Sequence, residues 1–81
     1  MKKWIPILEK KLGRENSYGE YHHDEAIYID PRLSSKKRFD ILLHELLHWR
    51  YPELTEGEVE RGSRDIVRHL WKQGYRRVEI S

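Results

Sequence analysis

The chain has 81 residues and no cysteine, and this combination most constrains how it can fold. A domain of this size buries only about 60% of the surface that its unfolded chain exposes, so its core is small. Small domains usually depend on a disulfide, a bound metal, a partner or well-formed helices. Because disulfides and zinc–thiolate sites are excluded, any stabilising metal must be held by histidine and carboxylate side chains.

A helix is predicted in the segment SSKKRFDILLHELLHWRYP. Ser34 or Ser35 can cap its first turn, and apolar residues at helical spacing give it a broad apolar face through Arg50. Pro52 disfavours helical geometry at the residue before it, so the helix should end there.

A second helix is predicted after a short connection. Thr55 and Glu58 have the spacing of a capping box, which places the start of the helix at Glu56. Apolar periodicity continues to about Gln73, and Gly74 is suited to end the helix. The short connection favours two helices that pack as antiparallel neighbours.

The N-terminal half combines two kinds of pattern. Apolar residues recur at helical spacing over residues 4–12, which predicts a helix that ends at Gly13. Residues 17–30 are rich in tyrosine and isoleucine and alternate in polarity, which predicts a hairpin with its turn at residues 23–25 and its end at Pro31.

These elements predict one α+β domain over residues 1–81. Its order is an N-terminal helix, a β-hairpin with a small antiparallel sheet, a histidine-bearing helix and a glutamate-bearing helix. The C-terminal segment YRRVEI alternates in polarity and could add a strand.

The histidine-bearing helix contains a pattern typical of a metal site. His44 and His48 are four residues apart and therefore lie on the same helix face, where they can direct two imidazole nitrogens at one ion. Glu45 follows the first histidine and can reach a water molecule on that ion as a general base. The alternative is that both histidines are surface or half-buried residues beside a leucine face.

A third ligand must come from the glutamates of the second helix. Glu56 lies within the inward-facing stripe of that helix and Glu60 lies at its edge. Glu56 is therefore the preferred ligand, with Glu60 as a hydrogen-bond partner of an imidazole or as the alternative ligand. Glu58 points toward the helix cap.

The HELLH motif at residues 44–48, followed by a helix that bears glutamates, resembles the zincin metallopeptidases of the gluzincin type. Over residues 18–76 the order of elements looks like that of the minigluzincins and of the small, phage-type relatives of the ImmA/IrrE-like peptidases. The resemblance implies a minimal zincin-like domain that hydrolyses peptide bonds.

By this resemblance, His44, His48 and Glu56 hold one Zn²⁺ ion and Glu45 is the general base. The resemblance also implies that one strand of the hairpin in residues 18–30 binds an extended substrate by edge pairing. The expected substrate is a peptide or a flexible protein segment, because a chain this short can form only a shallow cleft.

Two other functions are compatible with the sequence. One is a zinc-stabilised binding or regulatory module that keeps the ligands and cleaves nothing. The other is a basic helical nucleic-acid binder, since arginines recur on or after the last helix. The net charge of only +2, with charges of both signs interleaved, disfavours nucleic acid.

The sequence constrains the cellular location of the protein only weakly. No apolar run approaches the length of a membrane span, so a cytoplasmic protein is expected. The charged fraction of 37% is typical of heat-adapted proteins.

A hydrolase of this kind also needs a donor to the developing oxyanion, and a histidine or tyrosine could supply it. The candidates are His22, His23, Tyr51, His69 and Tyr75.

Overall fold

The computed structural model describes residues 4–13 and 18–78. In chain order its elements are strands β1 (Ile7–Glu9), β2 (Gly19–His22) and β3 (Ala26–Ile29), followed by helices α1 (Ser35–Arg50) and α2 (Glu56–Lys72). The strand-rich first half and the two later helices confirm the predicted α+β class.

The three strands form one mixed sheet in the order β1, β3, β2. Strands β2 and β3 pair as an antiparallel hairpin, with Gly19 opposite Ile29 and His22 opposite Ala26. The turn contains Asp24 at φ 55°, a left-handed conformation that aspartate tolerates better than most residues. The predicted hairpin and its turn are therefore confirmed, except for Ser17, which lies outside the described residues.

The predicted N-terminal helix is wrong, because its central part forms β1. This strand runs parallel to β3, with Ile7 opposite Ile27, and the backbone oxygen of Pro6 accepts a hydrogen bond from Ile27 at 2.9 Å. An isolated helix of about nine residues is marginal in water. Pairing with β3 instead places Ile5 against the buried isoleucines of the sheet, where it is only 6% exposed.

Helix α1 begins and ends where its local signals predict. Ser34 is the N-cap, and its hydroxyl accepts a hydrogen bond from the backbone N–H of Lys37 at 3.3 Å. The helix ends before Tyr51, next to Pro52. Most of the helix is half-buried, because the domain has too little mass to cover it completely.

Helix α2 has the predicted capping box. The Thr55 hydroxyl accepts from the Glu58 N–H at 3.1 Å, and the Glu58 carboxylate accepts from the Thr55 N–H at 2.8 Å. At the other end, Gly74 has φ 90°, which a residue with a side chain rarely adopts. Residues 75–78, from the segment predicted as a further strand, form no strand, and residues 79–81 lie outside the described part of the chain.

The core lies between the sheet and the helices. Its fully buried apolar side chains come from β3 and α2, and they are Ile27, Ile29, Val59 and Val67. Within residues 4–13 and 18–78, neither helix is both long and apolar enough to cross a membrane.

A buried carboxylate joins the segment after β1 to the segment after β3. Asp30 is 3% exposed and accepts hydrogen bonds from the Leu12 N–H at 3.0 Å and the Arg32 N–H at 2.9 Å. The Arg32 guanidinium donates two more, at 2.8 and 2.6 Å. These hydrogen bonds, led by those of the guanidinium, hold the pKa of Asp30 well below its usual range. Asp30 therefore helps to fix β1 beside β3.

Candidate metal centre

The two helices bring three potential ligands together. His44 and His48 lie one turn apart on α1, and their Nε2 atoms are 3.2 Å from each other. Glu56 places Oε1 2.7 Å from the His44 Nε2 and Oε2 3.0 Å from the His48 Nε2. One ligand atom from each residue lies within 4.8 Å of the other two, so the group could hold a metal ion. The predicted ligand set is therefore assembled.

The position of Glu56 follows from local structure. Helix α1 ends at Arg50, a five-residue connection follows, and the Thr55 capping box makes Glu56 the first residue of α2. The Glu56 side chain is 70% exposed, and its carboxylate contacts both imidazoles. The imidazoles of His44 and His48 are only 21% and 23% exposed, so packing restricts their orientation.

The separations fit a metal ion such as zinc. Two nitrogen ligands at zinc–nitrogen distances of about 2.0–2.1 Å, in tetrahedral geometry, are roughly 3.3 Å apart. The observed 3.2 Å between the nitrogens of His44 and His48 is close to this value. Two imidazole nitrogens at this distance cannot both carry a hydrogen toward the other, whereas a cation accepts both lone pairs.

Glu45 is the one buried residue of α1, at 9% exposure. Burial raises the pKa of its carboxyl group, the neighbouring imidazoles of His44 and His48 lower it, and the carboxylates of Glu56 and Glu20 raise it again. Glu45 therefore lies beside the ligands in a poorly solvated position, which suits a proton acceptor.

Strand β2 covers Glu45, and a glycine allows this close approach. A Cβ atom added to Gly19 would collide with the Ile41 side chain and would lie 3.4 Å from the Glu45 Cγ. Neither Gly19 nor the acidic neighbour Glu20 was predicted from the sequence as part of the site. A glycine within a strand often marks a close backbone approach, and this signal could have identified Gly19.

Glu60 and Glu58 have other partners. The Glu60 carboxylate accepts a hydrogen bond from Arg64 at 2.7 Å, one turn further along α2. Among the described contacts it has none with either imidazole, so the predicted hydrogen bond to a ligand is absent there. Glu58 caps α2, as predicted.

The five candidates for an oxyanion donor remain apart from the three ligands. His22 lies 3.1 Å from the Glu20 carboxylate, His23 lies 3.3 Å from the Tyr21 hydroxyl, and His69 lies 2.7 Å from the Asp65 backbone oxygen. Within the described part of the chain, neither these histidines nor the candidates Tyr51 and Tyr75 form a side-chain hydrogen bond or ion pair with the three potential ligands.

Comparison of the chain with protein-family models, with curated proteins and with solved structures finds no match. The function of the site is therefore inferred from its geometry and chemistry alone.

Proposed function

We propose that this protein is a zinc-dependent metallopeptidase that hydrolyses peptide bonds through an activated water molecule. The convergence of His44, His48 and Glu56 on one point carries the proposal. Two imidazoles and one carboxylate are a donor set of catalytic zinc sites, which keep a further position open for water or substrate.

Glu45 is the proposed general base. Zn²⁺, when bound, supplies a Lewis acid that polarises a carbonyl group and acidifies water. The Glu45 carboxylate takes the proton of the attacking water and returns it to the leaving amine. Its burial supports this role, because a raised pKa brings a carboxylate closer to the value at which proton transfer is efficient near neutral pH.

Strand β2 is the proposed pairing site for an extended substrate. Within residues 4–13 and 18–78, β3 has a strand on each side and β2 has β3 as its strand partner, and β2 passes over Glu45 at Gly19. A groove of about 570 Å³ lies between α1 and α2 and reaches His44. A peptide paired with β2 would thus be held near both the proposed base and a ligand.

The general-base role is tested by Glu45→Gln. With both proteins loaded with zinc, the variant should cleave flexible peptides about 10²–10⁴-fold more slowly than wild type, because the proton acceptor is lost. Glu53→Gln, in the exposed connection before α2, is the matched control and should retain wild-type rates. Equal, non-zero rates for wild type and Glu45→Gln contradict the assignment.

A second function follows from the position of the ligands on two helices. A metal held by His44, His48 and Glu56 cross-links α1 to α2 and stabilises the fold, whether or not the site cleaves peptides. A zinc-stabilised binding module would show a lower melting temperature on chelation and no cleavage of any peptide in a library. Cleavage that Glu45→Gln abolishes excludes this second function.

A further inference from the structure

A second groove lies away from the proposed metal ligands, between β1, the first turns of α1 and the end of α2. Its volume is about 450 Å³, and its apolar wall consists of Ile7, Phe39, Leu42, Trp71 and Tyr75. Ile7 and Tyr75 remain 40% and 62% exposed, so the groove is open to solvent. An exposed apolar wall of this kind is typical of a binding surface.

The polar rim of the groove is basic. Three arginines line it, and none of the described lining residues is acidic. Arg76 stacks on the Trp71 ring, with Cζ 3.4 Å from the ring centroid, and donates hydrogen bonds to the backbone oxygens of Trp71 and Tyr75. Arg38 is half-buried and Arg77 is exposed, and neither forms an ion pair or side-chain hydrogen bond with another described residue. Two guanidinium groups are thus available to an anionic ligand.

The groove adjoins an open edge of the sheet. On either side of β1, the Pro6 oxygen accepts a hydrogen bond from the Ile27 N–H at 2.9 Å and the Lys10 N–H donates one to the Ile29 oxygen at 3.0 Å. Because peptide groups alternate in direction along a strand, Ile7 and Glu9 direct their own N–H and C=O groups away from β3. In the described part of the chain, β1 has β3 as its sole strand partner.

We propose that this groove and the free edge of β1 dock an extended, apolar segment of a partner protein that carries acidic side chains. The partner backbone pairs with Ile7 and Glu9, as in other cases of strand addition. Apolar side chains fill the groove, and carboxylates reach Arg38 and Arg77, where charge-assisted hydrogen bonds provide selectivity. A lipid acyl chain would leave the peptide groups of β1 without partners, which favours a peptide. The site is independent of the proposed metal centre.

An array of ten-residue peptides tests the proposal. Apolar positions alternate with acidic, neutral or basic ones, and binding to the zinc-loaded protein is measured by fluorescence anisotropy. Wild type should bind the acidic peptides best. Absence of binding, equal binding of acidic and basic peptides, or binding of anionic lipid vesicles in place of peptides overturns the proposal.

Charge reversal then locates the docking surface. The double substitution Arg38→Glu and Arg77→Glu should weaken binding of the acidic peptide at least about tenfold, because two charge-assisted contacts are lost. The matched control combines Arg50→Glu with Arg61→Glu, two exposed arginines that do not line the groove. Equal losses in both double variants would show nonspecific attraction and would overturn the proposal.

The strand edge has its own test. Glu9→Pro removes an N–H from the open edge and leaves the bonds of β1 to β3 intact, so it should weaken peptide binding while circular dichroism stays unchanged. Glu9→Gln controls for the lost charge and should bind like wild type or better. If Glu9→Pro folds and binds the acidic peptide as tightly as Glu9→Gln does, the proposed pairing of the peptide with β1 is wrong.

Discussion

The Glu56 carboxylate lies 2.7 Å from the His44 imidazole, although the two residues are twelve positions apart in the chain. This contact depends on where two helices end and begin. Proline after α1 and the capping box before α2 determine those points locally. The candidate metal centre is thus a consequence of helix boundaries that the amino-acid sequence itself encodes.

Glu56→Gln should identify the third ligand. Removing the anionic oxygen should lower zinc affinity by more than the roughly 10–100-fold that changes outside the ligands cost. Glu60→Gln is the matched control, because Glu60 pairs with Arg64 and should leave zinc affinity near the wild-type value. Competition with a chromophoric chelator measures both. A larger loss in the Glu60 variant would assign the ligand to Glu60.

The helices and the ligand set could be predicted because their signals are local. Caps, proline and four-residue spacing each act within one or two turns, and they lead directly to His44, His48 and Glu56. The choice of Glu56 over Glu60 followed from helix periodicity alone. A one-residue shift of the α2 start would have weakened that choice.

The N-terminal strand could not be predicted in the same way. Residues 7–9 have an apolar spacing compatible with a helix, and their parallel pairing with β3 spans about twenty residues of sequence. The burial of Glu45 also depends on a distant element, since β2 covers it at Gly19. Sequence periodicity reports a local preference and contains no information about which distant strand supplies the partner.

Gly19→Ala should destabilise the protein by about 1–3 kcal/mol, because the added methyl group overlaps the Ile41 side chain and forces β2 away from α1. Peptide cleavage should fall as well, since β2 lies over Glu45. Gly62→Ala is the control: its Cβ meets Leu47 at an ordinary 3.8 Å, and alanine in a helix should stabilise by up to about 1 kcal/mol. Urea unfolding measures both, and equal effects would contradict the close approach of β2.

Thr55→Ala should reduce both fold stability and zinc affinity. Loss of the cap should cost about 0.5–2 kcal/mol, and the freed first turn no longer holds Glu56 toward the imidazoles. Ser34→Ala is the control, because it removes the N-cap of α1, at the end of α1 that lies away from the connection to α2. It should lower stability and leave zinc affinity unchanged. Thermal unfolding and chelator competition separate the two effects, and equal zinc affinities in both variants would contradict a role for the α2 cap.

Asp30 should make stability depend on acidic pH. Its folded-state pKa is held below its usual range, chiefly by hydrogen bonds from Arg32, whereas the unfolded value is about 3.9. The stabilisation is therefore fully present above about pH 4 and is lost as the pH falls toward the folded-state pKa. Urea unfolding should show Asp30→Asn to be less stable than wild type at neutral pH, with a difference that shrinks at acidic pH. Asp65→Asn removes an exposed carboxylate 3.7 Å from Arg68 and should follow wild type throughout. A difference between wild type and Asp30→Asn that stays constant with pH would exclude ionisation of Asp30 as its cause.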